Sequence, residues 1–126
     1  MNVYSINFIV RTPEGMKKED LSESILEYAY YGDLDGLKRA ILEYPDCINF
    51  SDDFTGATAL HFSAGLGNYS CVNFLLSVPG VDVRQLDNDG NSAMDYAVRT
   101  GHNEIFKLLA DRMFPNRHNG TKLGLQ

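Results

Sequence analysis

The sequence predicts an all-α array of stacked helix-turn-helix repeats, an α-solenoid, extended at its N-terminus by one short β-strand. Three observations carry this. A set of glycine and apolar positions recurs in phase every 34 to 35 residues, the signature of a repeat architecture. Each period holds two stretches bounded by helix start and stop signals. The stretches between them are rich in Asp, Asn and Gly, which tolerate positive φ or bond their own backbone in tight turns.

The phase is set by Gly32, Gly67 and Gly101, which lie 35 and 34 residues apart. Seven places before each stands Ile25, Leu60 or Met94, and three before stands Ala29, Ala64 or Val98. Five after stands Leu37, Val72 or Phe106, and eight after stands Ala40, Leu75 or Leu109. Thr58 and Ser92 share the place nine before the second and third glycines, and Gly56 and Gly90 the place eleven before.

The elements follow in order. In residues 1–17, Tyr4, Ile6, Phe8 and Val10 alternate with Ser5, Asn7 and Ile9, a half-buried strand pattern suited to covering the end of an array. Residues 18–52 form a capping first repeat, in which Asp20 and Glu23 make a capping box ahead of Ile25, Leu26, Tyr28 and Ala29. Residues 53–86 form the second repeat. There Thr58 caps a short helix through Leu60, Ser63 and Ala64, and Gly67 ends it. A second helix over about Asn68 to Ser77 carries Cys71, Val72, Phe74, Leu75 and Leu76, leaving almost no polar face, so it must be covered on several sides. Residues 87–113 form the third repeat and C-terminal cap: Asp87-Asn88-Asp89-Gly90 turns, Ser92 caps, Asp95 completes a box and Gly101 stops the helix. Ile105, Phe106, Leu108 and Leu109 then supply an apolar helix, and residues 114–126 read as a frayed tail.

The stretch Gly56-Ala57-Thr58-Ala59-Leu60-His61-Phe62-Ser63-Ala64-Gly65-Leu66-Gly67-Asn68 resembles the ankyrin repeat motif G-x-T-P-L-H-x-A-A-x-x-G-H, with Ala for Pro and Ser for Ala. Gly90 to His102 follows the same frame more loosely, and the likeness extends from Lys18 to Met113. It departs in a first repeat without the motif's Thr or His, and in a one-residue insertion around Ser77-Val78-Pro79-Gly80-Val81. The resemblance gives His61 and His102 structural places. A buried neutral His there can bond both its cap residue, Thr58, and a neighbouring loop carbonyl. It also implies a module without enzymatic activity or cofactor that binds another protein through a concave face of turn tips and first-helix ends. Carried over by position, that face exposes Tyr30 and Tyr31 in the first repeat. In the second it exposes Asp52, Asp53, Phe54, Thr55, Ala57 and Leu66, and in the third Leu86, Asn88, Asp89, Asn91, Arg99 and Thr100. Tyr30, Tyr31, Phe54 and Leu66 stand out as anchors, because stacking does not require large apolar groups there. The two tyrosines could instead pack under the N-terminal strand.

Composition narrows the function further. A chain of 126 residues is one domain, and no apolar run approaches the ~20 residues of a membrane-spanning helix. Net charge is −6, with 17 acidic against 11 basic residues, which disfavours nucleic acid, held largely by Lys and Arg on phosphates. From Glu19 to Asp53 ten acidic residues face only Lys38 and Arg39, so the expected partner is a protein with a basic surface. A narrower alternative is an acidic inhibitor or immunity-type protein that neutralises a basic enzyme such as a nuclease toxin. A monomer is expected, with dimerisation through the N-terminal strand as an alternative. Cys47 and Cys71 sit among apolar neighbours and read as buried free thiols of a reducing compartment. The N-terminus lacks a basic leader and does not read as a signal peptide, so a cytoplasmic protein is expected.

Catalytic readings are weak. His61, Cys71 and Asp95 as metal ligands lack any C-x-x-C or H-x-x-x-H spacing. Ser63, His61 and Asp95 as a triad lack a nucleophile elbow, and residues two apart on a helix point to different faces. The run from Asp87 to Asn91 lacks the closing Glu of a calcium loop.

Overall fold

The computed structural model describes residues 18–115, with side chains from Ser24 onward. Its elements are α1 (Lys18–Tyr31), α2 (Leu34–Glu43), a 3-10 helix (Pro45–Asn49), α3 (Ala59–Gly65), α4 (Tyr69–Leu76), α5 (Ala93–Thr100) and α6 (Asn103–Met113). The helices pair as α1/α2, α3/α4 and α5/α6, and the pairs stack in chain order. α1, α3 and α5 form one layer and α2, α4 and α6 the other. An all-α repeat array is therefore what the chain builds. Among the described residues there is no strand, only one isolated antiparallel bridge between Ser51 and Thr58. The expected N-terminal strand of Tyr4, Ile6, Phe8 and Val10 and the tail from residue 116 lie outside the described residues. The capping box expected at Asp20 and Glu23 requires correction: α1 already runs from Lys18, so Asp20 lies within the helix and does not precede it as an N-cap.

Local chemistry explains the helix starts. The Thr58 hydroxyl accepts from the His61 N–H while the His61 ring accepts from the Thr58 N–H, and Ser92 with Asp95 does the same at α5. Asp33 caps α2 by accepting from the Gly36 N–H at 3.0 Å. α4 and α6 lack a side-chain cap bond. Their cap residues face the preceding repeat instead. Asn68 donates its amide to the Ala29 carbonyl at 3.3 Å, and the His102 ring lies against Gly67.

The phased positions become the core. Ile25, Ala29, Leu37, Ala64, Val72, Leu75 and Leu109 are fully buried. Alanine at the third place before the glycine lets α1 and α3 approach their neighbours closely. The third member of that set, Val98, is 56% exposed, because no further helix pair among the described residues covers it. Cys47 and Cys71 are free and buried, and burial pushes the Cys47 thiol up to about 11 and raises that of Cys71. Neither is a ready nucleophile. The inserted residue near Pro79 is taken up in a loop that the first repeat holds: Asn49 donates to the Gly80 carbonyl and accepts from the Asp82 N–H, both at 2.8 Å.

Candidate functional site

The site is built on two turns with exposed tips, each lying between successive helix pairs. In the first, the Asp52 N–H donates to the Ala57 carbonyl at 2.8 Å and the Gly56 N–H to the Asp52 carbonyl at 2.7 Å. The Asp52 carboxylate accepts from the Thr55 hydroxyl at 2.7 Å and its N–H at 2.9 Å, and these bonds hold its pKa below the usual carboxylate range. In the second turn Asp87 accepts from the Asp89 and Asn91 N–H groups at 2.9 and 2.8 Å and from the Tyr96 hydroxyl at 2.5 Å. Burial pushes the Asp87 carboxyl up, but the hydrogen bonds outweigh it and hold the pKa low. Burial and then Asp87 push the Tyr96 phenol up to about 12.

The turns are locked to each other. The Asn88 N–H donates to the Thr55 carbonyl at 2.8 Å and its amide to the Phe54 carbonyl at 3.1 Å. Below them the buried His61 ring accepts from the Thr58 N–H at 3.0 Å through Nδ1, which leaves Nε2 to donate to the Asn91 carbonyl at 2.9 Å. The ring therefore plays the structural part expected of it. Its burial lowers its pKa, and Tyr96 stacks edge-on at 4.9 Å.

On this rigid frame Tyr30, Tyr31, Asp52, Asp53 and Phe54 converge on one open groove of about 520 Å³. Phe54 is 90% exposed, Tyr31 74% and Tyr30 50%. Tyr30 stands edge-on to Tyr31 at 4.9 Å and to Phe62 at 6.1 Å. Leu26, Glu27, Phe50 and Phe62 complete the lining and are absent from the residues chosen by position. A helical-face reading could have found two of them, since Leu26 and Glu27 lie one turn before Tyr30 and Tyr31. No Lys, Arg or His lines the groove among the described residues.

The remaining candidates lie outside this groove. Leu66 and Leu86 are exposed at the end of α3 and in the loop before the second turn. Thr55, Asp89 and Thr100 are exposed, and Asn88 and Asn91 are engaged with the neighbouring repeat as described. Arg99 holds its guanidinium 5.5 Å from the Tyr96 ring centroid. Ala57 requires correction: expected at the surface, it is 1% exposed, drawn in beside the buried cap Thr58 by the Asp52 bond to its carbonyl.

The catalytic combinations do not assemble. The Ser63 hydroxyl is buried without a hydrogen-bond partner, so no base reaches it. Among the described residues no group of three or more His, Cys, Asp or Glu could hold a metal ion. No helix among them is long and apolar enough to cross a membrane.

Comparison with known proteins bears on the same region. A family model described as ankyrin repeats in three copies matches residues 25–119. The liver-isoform mitochondrial glutaminases of Rattus norvegicus and Mus musculus are each 36% identical over 88 residues, 70% of this chain and 14% of the relative. Cortactin-binding protein 2 of Ornithorhynchus anatinus is 36% identical over 52 residues, 41% of this chain and 3% of that protein. The chain thus spans a small share of the length of these relatives.

Proposed function

The chain belongs to the ankyrin repeat family, whose repeats generally bind other proteins and are typically non-enzymatic, and from that premise we propose that it binds a partner protein through the face carrying its turn tips and first-helix ends. The observation that carries the reading is the convergence of three exposed aromatic rings, Tyr30, Tyr31 and Phe54, with Asp52 and Asp53 on one groove. Large rings left exposed on a hydrogen-bonded frame form a preorganised surface, and aromatic groups ringed by polar ones are the make-up of a binding hot spot. Leu66 extends the apolar surface along the array, and Asp89 adds to the charge that steers a basic partner. The two buried free thiols support a reducing compartment such as the cytoplasm.

A second reading has the same face block a basic enzyme such as a nuclease. It is favoured by the balance of ten acidic to two basic residues from Glu19 to Asp53. Both readings share one test. The partner is captured on the full chain, identified by mass, and its affinity measured by calorimetry for wild type, Tyr31→Ala and Phe54→Ala. Each substitution is expected to cost about 1–3 kcal/mol of binding. Thermal melts should stay unchanged, since both side chains are mostly exposed. Unaltered affinity in both variants would place the interface elsewhere.

A further inference from the structure

The third repeat shows what the first one lacks. Five and two places before Gly101 stand Tyr96 and Arg99, and the Arg99 guanidinium lies over the Tyr96 ring at 5.5 Å. The same places before Gly32 hold Glu27 and Tyr30, an acid and a ring with no cation. Around them the groove adds Tyr31, Phe54 and Asp53 and no basic side chain among the described residues. Asp52 already accepts two bonds from Thr55. Glu27 and Asp53, by contrast, make no hydrogen bond or ion pair among the described residues, so two carboxylates that no described basic side chain neutralises stand beside exposed aromatic faces. We infer that the groove receives an arginine side chain from an extended segment of the partner, with aliphatic neighbours of that arginine resting on the apolar wall. This rests on the reading that the face binds a protein, and it names the chemistry recognised there.

Charge complementarity selects the occupant. A carboxylate-lined groove repels phosphate carriers, which sets nucleic acid and anionic lipid aside. Arginine suits the place better than lysine because its planar guanidinium stacks on rings and forks to carboxylates, and it is less strongly hydrated. A small free cation would leave most of an open groove of about 520 Å³ unfilled, whereas a peptide crossing it covers both Tyr31 and Phe54.

The test uses the full chain, ¹⁵N-labelled, titrated with the synthetic peptide Gly-Leu-Arg-Leu-Gly-Gly and with versions carrying lysine or citrulline in place of the arginine. Citrulline keeps the shape and removes the charge. The arginine peptide should shift the amides of Glu27, Tyr31, Asp53 and Phe54, and the citrulline peptide should bind at least about tenfold more weakly, a difference of ~1.4 kcal/mol. Glu27→Gln and Asp53→Asn should each weaken arginine-peptide binding severalfold, while Asp46→Asn, the same charge change on the 3-10 helix, should not. Equal binding of the citrulline peptide, or no shift in the groove at millimolar peptide, overturns the inference. If the captured partner still depends on Tyr31 and Phe54 in that event, the groove is a protein site with another preference. If it depends on neither, the functional reading falls as well.

Discussion

At the scale of single residues, His61 joins local and long-range order. Its Nδ1 accepts from Thr58 within its own helix start, and its Nε2 donates to Asn91 thirty residues on. Only the neutral ring serves both bonds, because protonation would set an N–H on Nδ1 against the Thr58 N–H. Burial accordingly lowers its pKa below the ordinary value of ~6.5. The unfolded chain therefore takes up the proton first as pH falls. Stability should drop as pH descends through about 6.5 and level off once the folded-state pKa is passed. Urea midpoints at pH 7.5 and 5.5 check this: wild type should lose more between them than His61→Gln, whose slope lacks this group. The bond with Thr58 was legible through the resemblance to the ankyrin motif, which also implied a neighbouring loop carbonyl as the second partner. That this carbonyl is Asn91's was not legible, since nothing in a one-dimensional pattern says which loop carbonyl arrives over the ring.

At the scale of elements, the helix ends are where repeats grip one another. Gly67 and Gly101 both adopt φ +78, yet they differ in surroundings. A Cβ on Gly67 would sit 2.6 Å from His102 Cε1, whereas one on Gly101 would meet nothing within 4 Å. Replacing either by alanine incurs the left-handed backbone cost of about 1–2 kcal/mol, and only Gly67→Ala adds a clash with the cap residue of α6. Gly67→Ala should therefore be the more destabilising in chemical denaturation. Adding His102→Ala to it should recover part of the difference, a non-additivity that marks contact. Equal losses at the two glycines would mean that the His102 contact is energetically slack. Phase and capping signals located these helices to within about one residue of α4's bounds. They did not show that Asn68 and His102 serve the preceding repeat rather than their own helices, because spacing along the chain does not say what the preceding repeat sets opposite them.

At the scale of the whole molecule, stacking three helix pairs brings the end of α1 beside a turn more than twenty residues later. Glu27, Asp52 and Asp53 thereby share a groove with no neutralising base among the described residues, and their combined field would steer the basic partner proposed above. Association should slow as salt is raised from about 0.05 to 0.5 M, where the Debye length contracts from roughly 14 to 4 Å, while dissociation changes far less. Stopped-flow or surface-resonance kinetics with the captured partner separates the two rates. A salt-independent association rate would remove electrostatic steering from the account.

The sequence by itself determined the repeat period, the helix pairs, the capped starts at Thr58 and Ser92 and most of the core, because each follows from spacing along one chain: 3.6-residue periodicity, a cap before an apolar run, a glycine after it. It also marked Tyr30, Tyr31 and Phe54 as rings that stacking does not require. Only the tertiary structure decided which of those positions meet. It drew Leu26, Glu27, Phe50 and Phe62 into the groove with them, set Leu66, Leu86 and Arg99 apart from it, and buried Ala57. The reason is physical. Local signals fix the conformation of each element, but the distance between a helix end and a turn from the next repeat depends on how closely whole helix pairs pack.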